Sequence, residues 1–368
     1  MSRYDVIVLG GGIIGCALAE ELARRGQRVV VLERGRIGAE ASVAAAGILL
    51  AQMDVLKPGP LLELCQAARR LYPGWIRRLE RAAGMRADFR IAGVLYLAAS
   101  AAQARRMQAR ADWQRRLGLA VERWSPAEVR RREPAVDGRW AAGFHFPLEG
   151  EVDNVLLMHA LAAACRRGRV TLREQTTARR LLIRHGAASG IETDRGLLRA
   201  PVIVNTLGSW AALRGTPFAQ LPIEPARGQL LSFAGPKGLF HRPIMTDRAY
   251  VIQRRDGQLL LGSTVERVGF DKRLTVQGMH HILSATRRIS SALESCGFVE
   301  AWAGLRPYSR TGLPILGATA IEGLYVATGH FRHGILLAPI TAKLMAELIL
   351  NGYTSFNLSL FSPARLPR

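Results

Sequence analysis

Gly10-Gly11-Gly12-Ile13-Ile14-Gly15 fits the spacing G-x-G-x-x-G, and Glu33 follows 18 residues after Gly15. Residues of this type in this order suit a dinucleotide. Gly10 permits a tight turn, Gly12 lets the backbone approach a pyrophosphate, and Gly15 lets a helix pack close to a strand. The N-terminus of that helix offers free N–H groups and a positive dipole end to phosphates. Glu33 can accept both ribose hydroxyls of an adenosine, while a 2′-phosphate would be repelled. Alone the spacing is weak, and a tight turn with a capping glutamate is the plainer alternative. Here it lies between two apolar β-branched runs and opens a helical pattern, which is the context that confirms it.

Three more stretches could meet the same ligand. Gly38–Gly47 is rich in small residues and includes Ser42, Ala45 and Ala46. It can be a cofactor-facing segment or a close helix contact. The apolar run Val202–Thr206 enters Leu207-Gly208-Ser209-Trp210. Gly329-His330-Phe331-Arg332-His333-Gly334 precedes a long apolar helix whose positive end faces that turn. His330 reads as a turn residue. Arg306 stands in Gly-Leu-Arg-Pro after an apolar strand. A guanidinium in such a setting needs an anion, either a substrate carboxylate bound bidentately or a structural carboxylate. Tyr250 opens another strand, where a half-buried structural tyrosine is the common case.

The elements that position these residues alternate in type. Tyr4–Leu9, Ile13–Arg25 and Arg28–Leu32 read as βαβ and imply a parallel sheet. Leu61–Ala83, Ala101–Leu117, Val155–Arg167, Gly278–Leu293 and Ile335–Leu350 read as helices. Ser125-Pro126-Ala127-Glu128 is a capping box with proline at the first helical position. Strands are expected at Phe89–Ala98, Gly143–Phe146, Gly150–Asp153, Val170–Arg173, Leu181–Arg184, Ala200–Thr206, Glu300–Gly304 and Gly323–Thr328. Gln229–Phe233, Ala249–Arg254 and Gln258–Gly262 read as antiparallel strands, with Asp256-Gly257 as a hairpin turn. Parallel pieces thus occur at both ends and in the middle, with antiparallel pieces between. The expected fold is α/β: a Rossmann-type nucleotide domain over 1–84, 151–217 and 305–356, and an inserted antiparallel-sheet α+β substrate domain over 85–150 and 218–304. Residues 357–368 form a tail.

Composition removes other classes. The chain has 368 residues, enough for a large core without disulfides or metals. Cys16, Cys65, Cys165 and Cys296 form no CxxC pair, which argues against zinc ribbons and disulfide scaffolds and fits a reducing cytoplasm. The net charge is +22, and all but four of the basic residues are arginine. The arginines are spread along the chain in pairs such as Arg69-Arg70 and Arg115-Arg116, a pattern of solvated helix faces. No patch or tail marks a nucleic-acid binder. No apolar run is long enough to predict a membrane span, and Gly334–Leu350 reads as a buried helix.

Taken together, these motifs resemble the glycine oxidase and D-amino acid oxidase superfamily of FAD enzymes, most closely its thiamine-biosynthetic glycine oxidases. The resemblance runs from Tyr4 to about Gly352. It rests on Glu40-Ala41-Ser42 through Gly47, Trp302-Ala303-Gly304-Leu305-Arg306-Pro307, Gly329-His330-Phe331-Arg332 and Gly334-Ile335-Leu336-Leu337-Ala338-Pro339. It implies FAD contacts at Gly10, Gly12, Ile13, Ile14, Gly15, Glu33, Arg34, Ser42, Ala45, Ala46, Gly47, Ala178, Gly208, Trp210, His330, Phe331, Arg332, His333, Gly334 and Ile335. It also implies that Arg306 and Tyr250 hold a substrate carboxylate, and that the backbone at Arg332 receives the amine. Ile48 replaces the usual methionine and should line the pocket; His333 replaces a usual asparagine. Related sarcosine oxidases link flavin to a cysteine near the Arg306 region. None lies there, so FAD is expected to be non-covalent. The implied activity is oxidative deamination of glycine, sarcosine and small D-amino acids by hydride transfer to flavin. Oxygen then yields hydrogen peroxide, and the imine serves thiamine thiazole synthesis. A homo-oligomer, dimer or tetramer, is implied as well. The alternatives are a related amine or D-amino acid dehydrogenase using a quinone or protein acceptor, a glycine-oxidising subunit of a cyanide-forming complex, and a basic flavoprotein that binds RNA or membranes.

Overall fold

The structure is a computed structural model that describes residues 4–212, 216 and 218–366. Unbroken valine and isoleucine runs make strands that can be covered on both faces, as the centre of a parallel sheet requires. Val6–Leu9 and Val29–Leu32 are such runs, buried at every position. They lie in a six-stranded sheet ordered Ile315–Ala318, Leu324–Thr328, Val202–Asn205, Val6–Leu9, Val29–Leu32, Thr171–Arg173. All neighbours are parallel except Ile315–Ala318, which runs antiparallel to Leu324–Thr328.

The two faces of this sheet are covered differently. Helices Ile13–Arg24, Pro60–Ala83, Asn154–Arg167 and Gly334–Asn351 share one apolar cluster with Val6, Val8, Val29 and Val31. On the other face Ile7, Leu9, Val30 and Leu32 pack with Ala188 and Ile191. Those two belong to a three-stranded antiparallel sheet, Ala178–Arg184, Ala187–Thr193 and Gly196–Leu198. The helix Gly334–Asn351 lies in a segment long and apolar enough to cross a bilayer, yet 67% of that segment's apolar window is buried inside the fold. It fills the core as the sequence leads one to expect.

An eight-stranded sheet carries the rest, ordered Gly297–Ser309, Ile223–Ala234, Gln258–Gly262, Tyr250–Gln253, Ile244–Met245, Val94–Ala98, Ala142–Phe146, Glu122–Trp124. It is antiparallel except where Ile244–Met245 pairs in parallel with Val94–Ala98. The two-domain division remains a proposal, which the topology supports. Every strand of the parallel sheet falls in 1–84, 151–217 or 305–356, and every strand of the eight-stranded sheet falls in 85–150 or 218–304 apart from residues 305–309. The strand Gly297–Ser309 runs through the position assigned as a boundary, and the boundary at 217 and the tail residues 367 and 368 lie outside the described residues.

Several elements differ from the sequence expectation. Gln229–Phe233 and Glu300–Gly304 are the centres of two much longer strands, paired from Ile223↔Ser309 to Ala234↔Gly297. Pro225 and Pro307 face each other there and hide the strand pattern. The strand expected over Phe89–Ala98 begins at Val94, because Gly93 takes a positive φ of 73°. Ala187–Thr193 was not expected as a strand, its alternation being blurred by Ser189 and Gly190. The helix expected over Gly278–Leu293 is Val276–Arg287 followed by a 3-10 turn at Ser291–Ser295. The capping box at Ser125 forms as read, with both reciprocal bonds present.

The first turn of the fold is set by close approach. A Cβ on Gly15 would lie 2.0 Å from the Gly10 carbonyl oxygen and 2.6 Å from Thr206 Oγ1. Helix Ile13–Arg24 therefore sits against the strands at a distance that no larger residue allows. Gly15→Ala should lower stability by about 1–3 kcal/mol through overpacking. Gly74→Ala is the control, since nothing lies within 4 Å of its Cβ position in helix Pro60–Ala83. It should be neutral or stabilising by up to about 1 kcal/mol. Urea unfolding of the two variants checks both signs.

Candidate active site

One cavity of about 300 Å³ joins the glycine-rich turn to the eight-stranded sheet. Gly10, Gly12, Ile13, Ile14, Glu33 and Arg34 line one part of it. The Glu33 carboxylate accepts the N–H of Gly11 at 2.9 Å and of Gly35 at 2.8 Å, which fixes it at the end of its strand. Ser42 Oγ accepts the N–H of Ile13 at 2.9 Å, so the hydroxyl stands at the helix N-terminus. Arg34 stacks 3.9 Å from the Trp210 ring centroid, and Trp210 stacks on Phe270 with centroids 5.3 Å apart.

Ala45, Ala46, Gly47 and Ile48 form the adjoining wall, and Gly208 and Trp210 also line the cavity, in the segment that follows Thr206 and Leu207 beside Gly10. The small-residue segment is held from outside by two residues that sequence reasoning missed. Asn154 Nδ2 donates to the Ser42 and Val43 carbonyls at 2.9 and 2.8 Å. Arg254 donates to the Ala46 carbonyl at 2.8 Å and to the Val152 carbonyl at 3.0 Å. From the eight-stranded sheet, a Cβ on Gly304 would lie 2.6 Å from Ala44 Cβ, and Trp302 Nε1 donates to the Ala44 carbonyl at 3.1 Å. The segment is thus clamped between helix Asn154–Arg167 and the eight-stranded sheet.

Three expected cofactor contacts lie elsewhere. Gly15 is inside the helix–strand contact and does not line the cavity. Ala178 begins the three-stranded sheet and packs beside the apolar cluster containing Leu9, behind the parallel sheet. His333 is buried away from the cavity wall, with Nε2 lacking a hydrogen-bond partner. The turn otherwise does face the cavity, through His330, Phe331, Arg332, Gly334 and Ile335. Phe331 adopts a positive φ of 49°, a costly conformation for an aromatic residue, so the backbone there is held against its preference.

The other end of the cavity is built across four neighbouring strands. Arg306 lies on the outermost, then Gly228, then Gly262, then Tyr250. A Cβ on Gly228 would fall 2.0 Å from Arg306 Nη1, and one on Gly262 would fall 2.5 Å from the Tyr250 hydroxyl. The two glycines are the floor over which both side chains lie. Arg306 donates to the Thr264 carbonyl at 3.1 Å and to Ser263 Oγ at 2.8 Å. No carboxylate pairs with it among the described residues. The structural ion pair that could have explained Arg306 is absent from its surroundings. Burial pushes its pKa down, though the guanidinium still stays charged at neutral pH, and burial pushes the Tyr250 phenol up, so the hydroxyl is a donor. Ile48, Leu50 and Met245 give this end an apolar wall. Asp54, also missed from the sequence, lines it and pairs with Arg332 at 3.1 Å.

His330 is no acid or base here. Its Nε2 lies 3.1 Å from Thr341 Oγ1, and burial lowers its pKa to about 3. The unfolded chain takes a proton near pH 6.5 while the folded one does not, so the stability it confers is complete above about pH 6.5 and is lost as pH falls toward 3. His330→Gln should flatten the acid side of the stability curve by up to about 1.4 kcal/mol per pH unit. Urea unfolding at stepped pH checks this, and equal slopes for both proteins would contradict the assignment.

A cofactor fit can be judged from these atoms. The helix N-terminus with Ser42 at its first amide, the bare glycines, the Glu33 carboxylate and the clamped small-residue wall form a continuous cradle for a dinucleotide with a planar ring system. Comparison with known proteins agrees. Residues 5–348 match the family model described as DAO, FAD dependent oxidoreductase. The bifunctional protein ThiO/ThiG of Synechocystis is 34% identical over 98% of this chain, which spans 54% of that relative. The chain spans about half the length of the first curated relatives it matches. The glycine oxidase of Geobacillus kaustophilus is 32% identical over 99% of this chain and 97% of its own length. The crystal structure of glycine oxidase from that organism superposes with a TM-score of 0.96 at 31% identity, covering 100% of both chains.

Proposed function

The chain belongs to the DAO family of FAD-dependent oxidoreductases, and we propose that within it this protein deaminates glycine and similarly small amino acids. The observation that carries the reading is Arg306: a deep-set guanidinium without a carboxylate partner, facing the cavity beside Tyr250. A charge so placed costs several kcal/mol unless an anion meets it, and a substrate carboxylate is that anion. Gly10, Gly12, Ile13, Ile14, Glu33, Arg34, Ser42, Ala45, Ala46, Gly47, Gly208, Trp210 and the turn from His330 would hold the cofactor. No cysteine lines the cavity among the described residues, which supports non-covalent attachment.

Arg306 offers a planar fork and Tyr250 a phenol proton, so together they fix both the position and the rotation of a carboxylate. Orientation of this kind can supply about 7–11 kcal/mol of a reaction barrier. The backbone carbonyl at Arg332 is the proposed acceptor for the substrate amine. Ile48, Leu50 and Met245 give the substrate Cα an apolar surround. When bound, FAD supplies the two-electron acceptor for the substrate Cα–H and passes the electrons to oxygen. Overall, glycine, oxygen and water give glyoxylate, ammonia and hydrogen peroxide. Use of the imine for thiamine thiazole synthesis is part of the proposal, supported by the fused ThiO/ThiG relatives.

The test is oxygen uptake by the FAD-loaded protein with glycine, sarcosine and D-alanine. Uptake matched by peroxide is expected, whereas flavin reduction without oxygen uptake would point to the dehydrogenase alternative. Arg306→Lys keeps charge but loses the fork, and should raise KM for glycine at least about a hundredfold while FAD stays bound. Gly228→Ala should do the same by pushing the guanidinium aside, since its Cβ would fall 2.0 Å from Nη1. Loss of FAD instead would mean that this end of the cavity holds the cofactor and not the substrate.

A further inference from the structure

Three arginines line the substrate end of the cavity, Arg248, Arg306 and Arg332, and the proposed reaction uses the side chain of Arg306 alone. Arg306 has no carboxylate partner among the described residues, whereas the Arg332 guanidinium is met by Asp54 at 3.1 Å. Asp54 and Arg332 both face the cavity. The other carboxylate on that wall, Asp247, is exposed and accepts Gln103 Nε2 at 2.7 Å.

Asp54 is not free to swing away. The carboxylate of Glu149, buried in the core, accepts the N–H groups of Ala51, Gln52 and Met53 at 2.6, 2.8 and 3.1 Å. Arg110 donates to the Met53 carbonyl at 2.7 Å, and Arg69 donates to Gln52 Oε1 at 2.9 Å. Three successive amides and two side-chain bonds therefore fix the segment that ends at Asp54. An ordinary surface ion pair has no such support and contributes little.

We propose that Asp54 is a specificity-determining residue: by occupying Arg332 it removes that guanidinium as a second place for a carboxylate and rejects ligands that carry another anion there. The proposal rests on Arg306 being the carboxylate site. A ligand with one carboxylate meets Arg306 and no opposing charge. A ligand with two brings its second carboxylate toward Asp54 and the already neutralised Arg332. Discrimination of this type works through repulsion of the wrong ligand as much as through attraction of the right one.

The experiment uses the FAD-loaded protein and two non-reacting probes, acetate with one carboxylate and malonate with two. Binding is read from the shift each causes in the visible flavin spectrum. In the wild type, acetate should bind and malonate should bind more weakly. Asp54→Asn removes the charge and frees Arg332, so malonate should gain at least about tenfold relative to acetate. Asp54→Glu should retain the wild-type preference. Asp54→Ser provides the same comparison if the asparagine variant does not take up FAD. An unchanged malonate-to-acetate ratio in the neutral variants overturns the proposal and leaves the Arg306 reading intact. If acetate leaves the wild-type spectrum unmoved, the Arg306 reading fails and this proposal fails with it.

Discussion

The structure depends on keeping one guanidinium deep in the protein without a carboxylate to neutralise it. Arg306 has a hydroxyl and a carbonyl as partners, which satisfy N–H groups but not charge. Such a group is tolerated where the fold leaves space for an anion and surrounds it with polar contacts. The space comes from the sheet itself. Gly228 and Gly262 lie on the two strands between Arg306 and Tyr250, and any side chain at either would overlap the functional groups. The antiparallel register that places these four positions across one sheet is therefore a requirement of the site.

The same sheet reaches the cofactor side. Strand Tyr250–Gln253 carries the phenol at one end, and the next residue, Arg254, holds the Ala46 carbonyl of the small-residue wall. Asn154, at the start of a helix packed on the parallel sheet, holds the Ser42 and Val43 carbonyls. The groups proposed to hold the substrate and the wall proposed for the cofactor are thus fixed relative to each other over a few bonds. That is what a transfer between two bound molecules needs, because misplacement by about 1 Å can cost a hundredfold in rate.

Much of this was readable along the chain. The glycine-rich turn was legible because its function depends on local spacing and on the strand and helix that flank it. Arg306 was legible because apolar neighbours made a charged residue conspicuous. The long helix Gly334–Asn351 was legible by its apolar run. What escaped depends on contacts between distant segments. Asn154 and Arg254 act through backbone carbonyls about a hundred or more positions away, and nothing local marks them. Asp54 gains meaning only from Arg332, far along the chain. Gly228 carries no local signal, because its purpose lies in the Arg306 side chain above it. Ala178 and His333 were assigned to the cofactor by the family resemblance, and neither is among the residues that line the cavity. The central strands were underestimated because paired prolines interrupt their pattern.

Arg306 is proposed to select a carboxylate and to present the attached amine for oxidation. The most direct measurement is the visible flavin spectrum of the FAD-loaded protein, mixed without oxygen with glycine and, separately, with methylamine, which lacks the carboxylate. The account predicts that glycine bleaches the flavin band and methylamine leaves it oxidised. Equal bleaching by both, or none with glycine, sarcosine or D-alanine, would contradict it.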